Sequence, residues 1–80
     1  MTKYSYINPT MASAVVPSDT VDLISPSVIY CGGTGDIKVN AAKGLGAVTF
    51  GNVQAGTTLD LIATRVWDTG TTCSGIIAMR

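Results

Sequence analysis

The sequence Asp-Ile-Lys-Val-Asn at residues 36–40 is the clearest alternation of apolar and polar side chains in the chain. Successive side chains of a β-strand point to opposite faces of a sheet, so Ile37 and Val39 share one face and the three polar residues share the other. This alternation predicts a strand with one buried face. A loop with two glycines follows at residues 41–46, and the alternation resumes at residues 47–50, which predicts a β-hairpin.

Short strand patterns continue on both sides of this hairpin. The further predicted strands are residues 21–24, 28–31, 59–67 and 73–79. Gly51 interrupts the alternation before Val53, which predicts a bulge, and residues 54–57 and 68–70 have the composition of turns. In residues 59–67 the apolar side chains fall on both faces, which favours a strand covered on both sides. No helix is predicted. The sequence therefore predicts an all-β fold, a small antiparallel β-sandwich or barrel of six to seven short strands.

The beginning of the chain differs from the rest. Residues 1–18 contain Pro9 and Pro17 and show no sustained periodicity, so they are predicted to form an extended N-terminal arm that orders against another surface. The remaining residues, 19–80, are predicted to form a single β-domain, because a chain of 80 residues has room for one small core. The last predicted strand has only Arg80 as a charge to protect it from edge pairing, so we expect something else to cover it.

Charge is scarce throughout the chain. Only 12% of residues are charged, against about 25% in ordinary domains, and His and Glu are missing. Five basic residues balance five Asp, so no net field attracts nucleic acid or an anionic membrane. The absence of His and Glu argues against an enzyme, a metal site or another cofactor. At 46% hydrophobic residues the chain is too apolar to be disordered, and it has no apolar run of about 18 residues that could cross a membrane.

Two cysteines allow a single disulfide at most. Cys31 and Cys73 both lie in strand-like runs, which favours two buried free thiols over a bridge. No secretory segment is recognised, so synthesis in a cytoplasm is predicted.

Two short motifs suggest chemistry, yet a structural interpretation explains each better. The glycine-rich residues 32–35 lack the Lys and the following helix of a phosphate-binding loop, so a turn between strands is predicted. Residues Asp68, Thr69 and Gly70 resemble the active triplet of dimeric aspartic proteases, in which each chain supplies one Asp. Only ten residues follow Gly70, too few for the rest of such an enzyme, and a β-turn is predicted instead. The dimeric protease is kept as an alternative.

Four large side chains are candidates for a protein interface: Tyr4, Tyr6, Met11 and Trp67. The two tyrosines lie in the predicted arm, where a contact with a partner is favoured over burial in a core. For Trp67 a position in the core is favoured, and an interface is the alternative.

Several segments together resemble the small spike base proteins of tailed bacteriophages and gene transfer agents. They are PSDTVDL at 17–23, GDIKV at 35–39, VTF at 48–50, NV at 52–53, AGT at 55–57, RV at 65–66 and TGTT at 69–72. The resemblance covers roughly residues 12–80. Cys31 and Cys73 depart from it, since small apolar residues are expected at these positions, and residues 1–11 lie outside it.

The resemblance implies a structural virion protein on the capsid surface. Such a protein forms a homo-oligomer at the capsid vertices, as a spike base or as a decoration or cement protein. Its implied partners are the major capsid protein, further copies of itself and a spike fibre protein, with no nucleic acid and no membrane. The alternative is a tail or receptor-binding adhesion module that uses loops such as residues 32–36 and 68–72.

Overall fold

The computed structural model describes residues 11–44 and 46–80. The strands are β1 (Ala12–Ala14), β2 (Ser27–Cys31), β3 (Gly35–Ala41), β4 (Ala47–Val53), β5 (Thr57–Val66) and β6 (Ile77–Met79). The described ranges contain no helix, and hence no helix long and apolar enough to span a membrane. The predicted all-β class, with six short strands, is confirmed.

The six strands form one sheet in the order β1-β6-β2-β5-β3-β4, and each strand runs antiparallel to its neighbours. The predicted hairpin is the β3–β4 pair, in which Ile37 lies opposite Phe50 and Val39 opposite Val48. The last strand, predicted to need cover, lies between β1 and β2. The edges of the sheet are therefore β1 and β4.

One face of the curved sheet forms the core. Ile37 and Val39 are fully buried, as their alternation predicts. The other members of this buried cluster are Ile29, Cys31, Val53, Leu59, Ala63, Val66, Cys73, Ile76 and Ala78. The polar residues of β3 lie on the opposite face, so one face of this strand is in the core and the other is at the surface.

The two cysteines are buried free thiols, as predicted. The pKa of Cys31 is raised to about 11, mainly because the thiol is buried. The neighbouring thiol of Cys73, which forms a hydrogen bond with Cys31, raises this pKa further. A thiol with so high a pKa is not a nucleophile near neutral pH, and it serves here as a small apolar side chain.

The predicted glycine turn at residues 32–35 is a close crossing of two backbone segments. Gly32 N donates to the carbonyl of Gly75 at 3.1 Å, and Asp36 N donates to Thr72 Oγ1 at 2.8 Å. The predicted strand 73–79 is consequently too long, because only its last part pairs as β6. Residues 72–75 follow the bend between β2 and β3 instead of a regular ladder.

Bulges explain two irregular patterns in the sequence. The predicted bulge at Gly51 is confirmed, since the register of β3 and β4 shifts there and Asn52 has a φ of 55°. The second bulge is in β5. Asn40 and Ala41 are consecutive in β3, but their partners in β5 are Arg65 and Ala63, so Thr64 is an extra residue. The side chains that point inward therefore change from Ala63 to Val66. The prediction that this strand is covered on both sides is therefore wrong. Ile62 is 45% exposed.

The predicted strand at residues 21–24 is also wrong. Ser18 N donates to the carbonyl of Val66 and Leu23 N to that of Thr64, at 2.9 and 2.8 Å. Between these two bonds the segment advances by five positions while β5 advances by two, so the intervening residues bend away and cannot form a ladder. Leu23 packs against the core, whereas Val21 and Ile24 point to solvent.

Candidate interaction surfaces

Trp67 lies outside the core, directly after β5, in a cluster on the polar face of the sheet. Its backbone N–H donates to the carbonyl of Lys38 at 2.8 Å, and its Nε1 donates to Asn40 Oδ1 at 3.1 Å. Lys38 Nζ lies 4.7 Å and Arg65 Cζ 5.1 Å from the ring centroid, so two cations contact the indole. The alternation of β3 places Lys38 and Asn40 side by side, where both reach this ring.

Arg65 joins this cluster to the segment that precedes β2. Its Nε donates to Asp22 Oδ1 at 2.7 Å, and its Nη1 donates to the carbonyl of Asp19 at 3.1 Å. Because the carboxylate of Asp22 is well exposed, the ion pair contributes little by charge alone. Its role is to hold residues 19–22 against β5 and beside Trp67.

Asp19 holds the turn that carries the Asp68, Thr69 and Gly70 motif. Its carboxylate accepts hydrogen bonds from the N–H of Asp68, the N–H of Thr69 and the hydroxyl of Thr69. Thr71 N closes the turn on the carbonyl of Asp68 at 3.3 Å, and Gly70 has a φ of 93°. The predicted β-turn is confirmed.

The same three donors lower the pKa of Asp19 below its ordinary value of 3.8, with the Thr69 hydroxyl the largest cause. A lowered pKa in the folded state means that Asp19 stabilises the fold above its ordinary pKa, and that this contribution disappears as the pH falls below about 4. We predict that Asp19→Asn flattens the decrease in the free energy of unfolding between about pH 5 and pH 2. Urea denaturation across this pH range measures it.

Asp68→Asn is the matched control, because the Asp68 side chain accepts none of these three bonds. It should retain the steep dependence of the native chain. A slope that is equal in Asp19→Asn and the native chain would contradict the assignment. The same control tests the protease alternative, which requires Asp68→Asn to abolish an activity.

Several exposed apolar residues lie at or near the β1 edge of the sheet. Met11 exchanges two backbone hydrogen bonds with Arg80 at the start of β1 and leaves 58% of its surface exposed. Beyond β1, residues 13–16 and 21–24 line a hollow of about 160 Å³ together with Val66, Ala78 and Arg80. Val16, Val21 and Ile24 are the exposed apolar side chains around it.

The opposite edge, β4, is also apolar and carries no charge. Residues 47–50 are Ala, Val, Thr and Phe, with Val48 54% exposed. The bulge closes the far end of this edge, where Asn52 N donates to Asp36 Oδ1 and the Asn52 carbonyl accepts from Gln54 Nε2. Residues 47–50 therefore form the open part of the edge.

The four predicted interface residues do not form one site. Tyr4 and Tyr6 lie outside the described residues, Met11 lies at the β1 edge, and Trp67 lies on the polar face of β3 and β5. Sequence reasoning missed Asp19 and both apolar edges. The uncharged stretch 44–59 is the signal that could have pointed to β4. No cluster of three or more metal-ligating side chains occurs in the part of the chain that the structure describes.

No protein-family model matches this sequence, and no curated protein matches it. Among solved structures, the chain resembles one from a structure described as "Capsid of native GTA particle computed with C5 symmetry", GTA being a gene transfer agent. The TM-score is 0.79 at 25% sequence identity, and the match covers 92% of this chain and 86% of the other. The chain thus has nearly the whole fold of a component of that capsid structure.

Proposed function

We propose that this chain is a structural protein of a tailed phage or phage-like particle that binds the outer surface of the capsid as a homo-oligomer. The observation that carries the proposal is the match to a chain of a gene transfer agent capsid over 92% of this sequence. Because the match covers 86% of the other chain as well, it concerns whole proteins and not a shared motif. The likeness supports a capsid-associated structural protein, and within that class we propose a spike base or decoration protein.

The surface of the molecule fits this role. The polar groups of the Asp19 turn and of the Trp67 cluster bind one another, while apolar side chains are exposed at the two edges of the sheet. A small protein that contacts a shell through such edges binds weakly at each site, and an oligomer binds strongly because its copies engage together. The proposed partners are the major capsid protein, further copies of the chain and a spike fibre protein. The role requires no catalysis.

The proposal is tested by adding the purified chain to particles made without it. We expect the chain to sediment with the particles at a fixed number of copies per capsid, and labelled antibody to decorate heads. A chain that remains in the supernatant would refute capsid binding. Label on tails alone would establish the adhesion alternative, for which the loops 32–36 and 68–72, joined by the hydrogen bond from Asp36 N to Thr72 Oγ1, offer a surface.

A further inference from the structure

The open part of β4 is a ready site for a further strand. Within the described ranges β4 pairs only with β3, and residues 47–50 leave the backbone groups of their other side without a strand. Soluble proteins protect such edges with Lys, Pro or bulges. Here a bulge protects only residues 51–53, and no charged or proline residue lies in β4.

The other edge of the sheet complements it. β1 pairs only with β6 among the described residues and consists of Ala12, Ser13 and Ala14, small side chains that allow close approach. The six strands alternate in direction, so β1 and β4 run in opposite directions across the sheet. A second copy placed beside the first in the same orientation would thus add its β1 antiparallel to β4 and continue the antiparallel sheet.

The exposed apolar residues favour this head-to-tail contact over a symmetric one. Met11 and Val16 flank β1, and Val48 lies on β4. Pairing β4 with β4 would leave both β1-side residues exposed to water. Pairing β4 with β1 brings the two groups together, and because neither strand carries a charge, no charged group of these strands must be desolvated.

We propose that β4 of one copy pairs antiparallel with β1 of a second copy, so that the sheet continues from subunit to subunit. This inference deepens the proposed function by naming the surface through which the homo-oligomer forms. A contact between two different patches is repeated by every copy, and it closes a ring where the rotation between copies allows. Each subunit then covers both of its edges with the same kind of contact.

The first test uses a charge at the open edge. Val48→Lys places an ammonium in the proposed contact, whereas Ile62→Lys makes the same change at an exposed residue of β5, an interior strand. We expect native mass spectrometry to show monomers for Val48→Lys at concentrations at which the native chain and Ile62→Lys are oligomers. An oligomer of unchanged size in Val48→Lys would overturn the proposal, as would equal dissociation of both variants.

The second test identifies the two edges by cross-linking. Ala14→Cys marks β1 and Thr49→Cys marks β4, and both side chains lie on the face of the sheet opposite the core, since Ala14 pairs with Ile77 and Thr49 with Lys38. A flexible bis-maleimide longer than the strand spacing of about 5 Å makes the result independent of register. We expect an equal mixture of the two variants to give cross-linked dimers and either variant alone to give none. The native chain, whose two thiols are buried, measures background. Dimers from Thr49→Cys alone would show β4–β4 pairing and overturn the proposal.

The cross-linking reactions, with the mixture and with each variant alone, are run in solution and on particles to which the chain has been added back. If the chain binds particles and forms oligomers but the mixture gives no cross-link, the edge pairing is wrong and the proposed function stands. If the native chain neither binds particles nor forms oligomers, the proposed function itself fails.

Discussion

Replacing Ile37 with Ala is expected to lower the free energy of unfolding by about 2–5 kcal/mol. Ile37 is fully buried at the centre of β3, where its side chain contributes to the cluster shared by β2, β3, β5 and β6. The substitution removes three carbon atoms and leaves a cavity that a sheet held by ladders on both sides of β3 cannot close. A domain of this length is stable by only about 4–12 kcal/mol, so a loss of this size is a large fraction of the total stability.

The matched control is Ile62→Ala, which deletes the same atoms from a side chain that is 45% exposed. Its expected cost is about 1 kcal/mol. Urea denaturation at one fixed protein concentration compares the two, because association of the chains would otherwise add to the apparent stability. Equal losses in the two variants would show that β3 does not present Ile37 to the core.

The contrast between Ile37 and Ile62 also shows what local alternation can predict. Residues 36–40 alternate without interruption, and the face that they predict is the buried one. In β5 the same reasoning fails, because the extra residue at Thr64 exchanges the two faces within one strand. A strand whose apolar residues occupy both odd and even positions is compatible with burial on both faces and with a bulge. Only the register with the neighbouring strand distinguishes the two.

Other errors have a similar non-local origin. Residues 21–24 have strand composition, but Leu23 N alone among them donates a hydrogen bond to β5, so the segment bends away from that strand. Residues 73–75 likewise lie against the bend between β2 and β3 instead of a straight strand. The turns at Gly56 and Gly70 are predicted correctly, because a backbone position with a positive φ favours glycine and the glycine is visible in the sequence.

The candidate surface was predicted less well than the fold. Met11, one of the four predicted interface residues, lies at a sheet edge, but the edge strand β4 was not singled out. Which strands form the edges depends on strand order, and strand order depends on pairings between residues far apart in the chain. Asp19 was missed for the same reason, since its three hydrogen bonds reach Asp68 and Thr69, about fifty positions later.

Replacing Gly32 with Ala is expected to destabilise the protein by about 1–3 kcal/mol. A Cβ at this position would lie 2.7 Å from the carbonyl oxygen of Gly75, which is a backbone atom and cannot rotate away. The same carbonyl accepts the hydrogen bond from Gly32 N at 3.1 Å, so a shift that relieves the overlap also weakens this bond. At about 4–8 °C per kcal/mol for a domain of this size, thermal denaturation will resolve the change.

Gly51→Ala provides the control, since the nearest atom to its added Cβ would be Asp36 Oδ1 at 3.7 Å, an ordinary contact. Its expected effect is within about 0.5 kcal/mol. A large loss in Gly32→Ala with none in Gly51→Ala would show that the glycine at position 32 is needed because two backbones cross there. If Gly32→Ala were as stable as the native chain, the crossing of residues 32–35 with residues 72–75 would be wrong. The bend that joins β2 to β3, and with it the placement of β4 at the edge, would then need a different explanation.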